Sequence, residues 1–186
     1  MKLLIASDIH GDAECCRKML DAAVREGAEK IVILGDLLYH GPRNDLPEGY
    51  APKKVIEMLN GVADNLLCVR GNCDAEVDQM VLKFPILSDT AWIYDGEAGI
   101  SLFFSHGHKY SPDELPPLAS GTVFLYGHTH LLGLVEREGV ICINPGSVSL
   151  PKGNNPRTYG VYCGGAFEVK ELDGAVVERY DLRKKA

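Results

Sequence analysis

Two apolar runs near the N-terminus, LLIA at 3–6 and IVIL at 31–34, carry no polar residue at alternate positions. A strand with one wet face alternates apolar with polar, so such runs imply strands covered on both faces, the mark of a parallel sheet. Helix patterns occupy 13–26 and 52–60, and a third run, LLCVR, follows at 66–70. Pro52 suits a first helical turn, and Gly27 and Gly61 suit the residue just past a helix end. The first 70 residues are therefore expected to form parallel strands joined by crossover helices.

The remainder reads differently. AWIYDGEAGISLFF, LVEREGVICIN and YGVYCGGAFEVKELDGAVVERYDL are strand-like runs, with turns marked by Asp95-Gly96, Glu138-Gly139, Gly164-Gly165 and Asp173-Gly174. Together the halves predict an α/β fold in which two β-sheets pack face to face and helices flank them. At 186 residues and 46% apolar content, with no linker, repeat or low-complexity tract, residues 1–186 are expected to form a single domain.

Composition narrows the functional classes. The six cysteines, at 15, 16, 68, 73, 142 and 163, form no CxxC pair, which suits reduced thiols, with Cys15 and Cys16 packing a helix. The apolar stretch in MKLLIASD is far shorter than a signal segment and no run approaches membrane-spanning length, so a cytoplasmic protein without a membrane partner is expected. A net charge of −7, from 26 acidic and 19 basic residues, repels long polyanions and argues against stable nucleic-acid binding. A small anion held by local cations remains compatible. Exposed hairpin edges leave room for a homodimer or a higher homo-oligomer.

All six histidines sit just beyond apolar runs, none in a helix pattern. Two of them, His128 and His130, are separated by one residue. On a strand they would share a face, as a solvated pair. The clustering instead suggests a site at strand ends: Asp8 and His10 after the first strand, Asp36 after the second, Asn72 after the third, then His106, then His128 and His130. Carboxylates and imidazoles without a thiolate pair suit Mn, Fe, Zn or Co. Seven donors exceed the four of a structural zinc site, and two metals sharing one carboxylate would account for the count. The loop from 36 to 52, DLLYHGPRNDLPEGYAP, is long and broken, as functional loops often are.

The blocks DIHG (8–11), GD (35–36), GNCD (71–74), GH (107–108) after His106, GHTH (127–130) and NPGS (144–147) resemble, in this order, the signature of the calcineurin-like metallophosphoesterases. Chain length, the 36–52 loop and GNCD bring the chain nearest to the small bacterial phosphodiesterases of the YfcE type. The resemblance implies a four-layer αββα sandwich with helices on both outer faces. It also implies hydrolysis of a small phosphodiester by a metal-bridging hydroxide, with two divalent cations, Mn2+ first and Zn2+, Fe2+, Co2+ or Ni2+ as alternatives. It places Asp8, His10 and His130 on one metal, Asn72, His106 and His128 on the other, and Asp36 between them, and Asn72, Cys73, Asp74 and His106 are grouped as catalytic, with holding a ligand in place or simple solvation as the alternatives for Asp74. Many relatives carry GNHE, where the histidine is a general acid, so Cys73 is a departure. His40, Arg43 and His108 are candidate substrate contacts, with a loop salt bridge or a supporting role as the alternatives. The Asn-Pro-Gly turn is expected to buttress the site. A non-catalytic scaffold binding protein partners, as the small retromer subunit of similar fold does, is the competing class.

Overall fold

The structure, a computed structural model, describes residues 1–185. Its first sheet is built on β1 (Lys2–Ala6), β2 (Lys30–Ile33) and β3 (Leu66–Cys68), parallel and in that order. The crossovers are α1 (Ala13–Glu26) and α2 (Pro52–Asn60). Asp12 caps α1 by accepting from the Cys15 N–H at 2.9 Å, and Gly27 ends it at φ 64°, in the left-handed region that glycine enters without strain. Pro52 opens α2, where its missing N–H is not needed.

The second sheet holds β4 (Thr90–Asp95), β5 (Ile100–Ser105), β6 (Val123–Leu125), β7 (Gly133–Arg137) and β8 (Val140–Asn144), in the order β4-β5-β6-β8-β7. The hairpins β4–β5 and β7–β8 form where their turn residues indicate, but β5, β6 and β8 run parallel to one another. The last strands, β9 (Thr158–Cys163), β10 (Ala166–Glu171) and β11 (Val176–Asp181), form a meander that rejoins the first sheet, β9 pairing antiparallel with β1. Each sheet is therefore mixed.

Strand pleat sorts the core. Leu3, Ile5, Val32 and Leu34 point between the sheets, against Leu102, Phe104, Val123, Leu125, Ile141 and Ile143. Leu4, Ala6, Ile31 and Ile33 point the other way, against Cys16, Met19, Ala22, Val55 and Leu59 of the two helices. Both faces of β1 and β2 are thus dry, as their unbroken apolar runs require. Cys15 and Cys16 are buried in the helix layer.

The outer layers are not alike. Helices cover the first sheet, whereas Tyr110, Leu115 and Leu118, from an irregular segment at 107–122, cover Phe103, Phe124, Val140 and Cys142 on the second. Among the described residues no helix lies there, which corrects the expectation of helices on both outer faces. Pro112, Pro116 and Pro117 lack the N–H that a helix interior needs. The short α3 (Glu76–Gln79) was not anticipated either, and Leu82, Phe84 and Ile86 beyond it join the helix-side core. Among the described residues no helix is long and apolar enough to cross a membrane.

A buried polar bond joins a strand of one sheet to a strand of the other. The Tyr162 hydroxyl, fully buried on β9, donates to Asp95 Oδ2 at 2.8 Å, at the tip of β4. In Tyr162→Phe the carboxylate loses that donor and keeps only the Glu97 and Ala98 N–H groups. A loss of about 1–2 kcal/mol is expected, seen as a lower urea midpoint at unchanged slope. An unaltered midpoint would show that the bond contributes nothing net.

Candidate metal centre

The site lies where five strands end. Past β1, β2 and β6 the chain leaves the sheet through residues in the left-handed region: Asp8 (φ 59°), His10 (49°), Asp36 (57°), His128 (65°) and His130 (61°). Such conformations cost on the order of 1–3 kcal/mol each in a residue with a Cβ, and they persist where surrounding structure imposes them. His128 and His130 are thus not a strand pair. Two successive tight turns bring their side chains to the same end of the sandwich.

Close contacts impose the conformations. A side chain on Gly35 would strike the Gly71 backbone, and one on Gly127 would enter the Ser7 and Asp8 side chains, so four loops meet in two pairs with no room between the partners. Ser147 and Ser149 donate to the Asp8 carbonyl at 3.0 and 2.8 Å. Asn144 donates to the Gly127 carbonyl and accepts from the Gly146 N–H, so the Asn-Pro-Gly turn is a brace.

Asp8, His10, Asp36, His106 and His130 are each at most 2% exposed. His10 Nδ1 lies 2.7 Å from the Tyr39 carbonyl, His106 Nδ1 2.6 Å from that of Leu34, and His130 Nδ1 2.6 Å from that of Leu150. A carbonyl only accepts, so each Nδ1 carries a proton and, in the neutral ring, each Nε2 turns a lone pair inward. His10 Nε2 and His130 Nε2 then face each other at 3.2 Å, and His130 Nε2 is 3.3 Å from Asp8 Oδ1, a buried oxygen with no hydrogen-bond partner. His106 Nε2 is 3.1 Å from Asn72 Oδ1 and 3.4 Å from Asp36 Oδ2. Inward lone pairs and a buried carboxylate oxygen with no donor, Asp8 Oδ1, fit a cation. Asp8, His10 and His130 form one set of donor atoms close enough to share an ion, and Asp8, Asp36 and His106 another.

The electrostatics agree. Burial works against a proton on His106, but Asp36 and Asp8 outweigh it and raise its pKa to about 9. Burial also opposes ionisation of Asp8, yet the adjacent His130 ring and the charges of His106 and His130 hold the carboxyl well below the usual range. The pocket demands positive charge at its centre.

The other expected residues separate into three kinds. His128 lies beside His106, ring centroids 5.1 Å apart, and its N–H donates to Asp8 Oδ2 at 3.2 Å. Asn72 is exposed at the mouth, and Cys73 donates its N–H to Asp36 Oδ1 at 2.8 Å. The Cys73 Sγ is also within 4.8 Å of the donor atoms of His10 and Asp36, and burial followed by the Asp36 charge pushes its pKa up to about 12. Asp74, grouped with the catalytic residues in the sequence, is 3% exposed and committed to backbone. It accepts from the Asp36, Leu37 and Gly71 N–H groups at 2.8, 2.9 and 2.7 Å. It positions Asp36 and does not reach the mouth.

A cleft of about 310 Å³ opens above the cluster, with Arg43, Cys73, Thr129 and Lys152 on its walls. Neither His40 nor His108 lines it. His40 packs edge-on against Tyr39 and Tyr50, and His108 stands behind His106, centroids 5.3 Å apart. Lys152 went unnoticed in the sequence, although PKG lies just beyond the NPGS block, which was read as structural.

A family model described as the Calcineurin-like phosphoesterase superfamily domain matches residues 1–163. The chain is 51% identical over 173 residues to Phosphodiesterase YfcE of Escherichia coli K12, covering 93% of each chain. A solved structure of E. coli YfcE, described as a phosphoesterase, matches with a TM-score of 0.93 at 46% identity, over 98% of this chain and all of that one. Vps29 of Chaetomium thermophilum matches at a TM-score of 0.61 and 17% identity, over 96% of both, a likeness of fold alone.

Asp74→Asn tests the positioning role. The amide keeps one acceptor oxygen and points two donors at N–H groups, which should cost about 2–3 kcal/mol of stability. Metal affinity should fall roughly 10- to 100-fold, as with other groups that orient ligands. Denaturation and bound-metal measurements check both; a variant that loses neither would make Asp74 dispensable.

Proposed function

The chain belongs to the calcineurin-like phosphoesterase superfamily, and from that premise we propose that it hydrolyses small phosphodiesters with two divalent cations. The carrying observation is the set of inward-facing donors: three imidazoles with Nδ1 committed to carbonyls, around two buried carboxylates. In this reading Asp8, His10 and His130 hold one cation, Asn72, His106 and His128 the other, and Asp36 both. Mn2+ is the first choice, with Zn2+, Fe2+, Co2+ or Ni2+ as alternatives for the same donors.

When bound, such cations lower the pKa of a water and draw charge from phosphoryl oxygens. The chain does the rest. The carbonyls of Tyr39, Leu34 and Leu150 fix the three imidazoles, Asp74 fixes Asp36, and the neutral amide of Asn72 keeps negative charge off the cleft floor. Arg43 meets the anionic substrate at the mouth, while His40 and His108 support the walls. A scaffold has no chemical need for seven intact donors, which favours catalysis over that alternative.

Turnover of bis-p-nitrophenyl phosphate with and without Mn2+ is the direct test: hydrolysis that depends on added metal is expected. Asp36→Asn should abolish it and lower the metal content, because a neutral amide cannot join two cations as a carboxylate does. A folded Asp36→Asn protein with near-normal turnover would sink the bridging role.

Cys73 separates ester classes. A nitrophenolate departs without a proton, whereas an alkoxide needs one, and general acid catalysis is worth roughly 10²- to 10⁴-fold. The native chain should therefore favour activated diesters over alkyl monoesters. Cys73→His should shift the kcat/KM ratio toward monoesters by roughly tenfold or more, since an imidazolium supplies both proton and charge. An unmoved ratio would remove position 73 from the chemistry.

A further inference from the structure

Two of the side chains that line the cleft above the metal donors, Arg43 and Lys152, are basic, and they come from different loops. Neither has a carboxylate partner among the described residues, and the cleft's one acid, Asp36, is buried at the floor. Both positions are built. Asn44 Nδ2 donates to the His40 carbonyl at 2.7 Å and closes the turn that presents Arg43. The Lys152 N–H donates at 3.0 Å to the carbonyl of His130. In a chain of net charge −7, the cleft wall carries two positive charges and no negative one.

These charges exceed what a simple diester needs. Two divalent cations with Asp8 and Asp36 leave two positive charges, which the diester and an attacking hydroxide cancel. Arg43 and Lys152 then remain for a further group of about −2, the charge of a phosphate monoester. A planar guanidinium beside an ammonium is a common phosphate-binding combination. The cleft is small, and among the described residues no Phe, Tyr or Trp lines it for a nucleobase to stack on.

We propose that Arg43 and Lys152 form a second phosphate subsite, selecting small aliphatic phosphodiesters whose non-leaving arm carries a phosphate of its own. The assignment deepens the phosphodiesterase reading and rests on it. Water adds across one P–O bond: the water oxygen forms the new bond, the leaving oxygen departs with its electron pair, and the water's proton passes to solvent. The product is the bisphosphate of the retained arm.

The test is a matched pair: the p-nitrophenyl ester of glycerol 3-phosphate, and the same ester phosphorylated at the other terminal hydroxyl. In the Mn2+-loaded protein the phosphorylated ester should be preferred in kcat/KM by roughly tenfold or more, chiefly through KM. Arg43→Gln and Lys152→Gln should each bring the ratio toward one, as should added salt. Calorimetric titration of glycerol 1,3-bisphosphate and glycerol 3-phosphate should show the same preference without turnover, again lost in the variants. Equal kcat/KM for the pair, or a ratio unmoved in both variants, overturns the subsite. Bis-p-nitrophenyl phosphate keeps the failures apart: if it is hydrolysed while the pair is not distinguished, only the subsite falls. If it is not hydrolysed, the phosphodiesterase reading falls and the subsite with it.

Discussion

Two carboxylates, Asp8 and Asp36, lie buried among the same imidazoles, in surroundings of low dielectric where like charges repel and bare ones are costly. A cation between them, or a proton on an imidazole, is needed for the arrangement to persist, and the raised pKa of His106 expresses that need. The surrounding structure serves to hold those charges together. Two loops touch backbone to backbone at Gly35 and Gly71, Gly127 lies against the Ser7 and Asp8 side chains, and five donors adopt left-handed conformations that they would not choose alone.

The sandwich makes the strain tolerable. Both faces of β1 and β2 are packed, so the strands leading to Asp8 and Asp36 cannot shift without opening a core. The parallel neighbours β5, β6 and β8 play the same part for His106, His128 and His130. Parallel strands end on the same edge of a sheet. That is why donors far apart in the chain reach one place, and why the packed sheets can hold them within a few ångströms.

The walls of the cleft obey a different logic from its floor. The floor is buried, acidic and fixed by carbonyls and serine hydroxyls, whereas the wall is exposed, basic and carried on loops. Asp74 marks the boundary: three backbone N–H groups occupy its carboxylate, so it shapes the floor from beneath. Cys73 stands where floor meets wall and adds no charge to either.

Much of this was legible in the chain. Unbroken apolar runs announce strands dry on both faces, the glycine and proline punctuation places α1 and α2, and the spacing of Asp8, His10, Asp36, Asn72, His106, His128 and His130 marks donors at strand ends. These signals are local: period, turn chemistry and residue type act within a few positions. What stayed hidden depends on pairing between distant segments. Nothing in YGVYC says that β9 returns to β1, or that β5, β6 and β8 run parallel, because hydrogen bonds between strands leave no local trace. The helix expected over the second sheet gave way to a proline-broken cover. For Asp74 the sequence left catalysis, ligand positioning and solvation open until the backbone N–H groups of a second loop claimed it, and Lys152 acquires meaning only as part of the cleft that Arg43 also lines. The sequence by itself determined which residues could bind a cation. Only the tertiary structure decided which side chains converge on the buried carboxylates, which brace them and which line the cleft, because direction and proximity arise when separate loops meet.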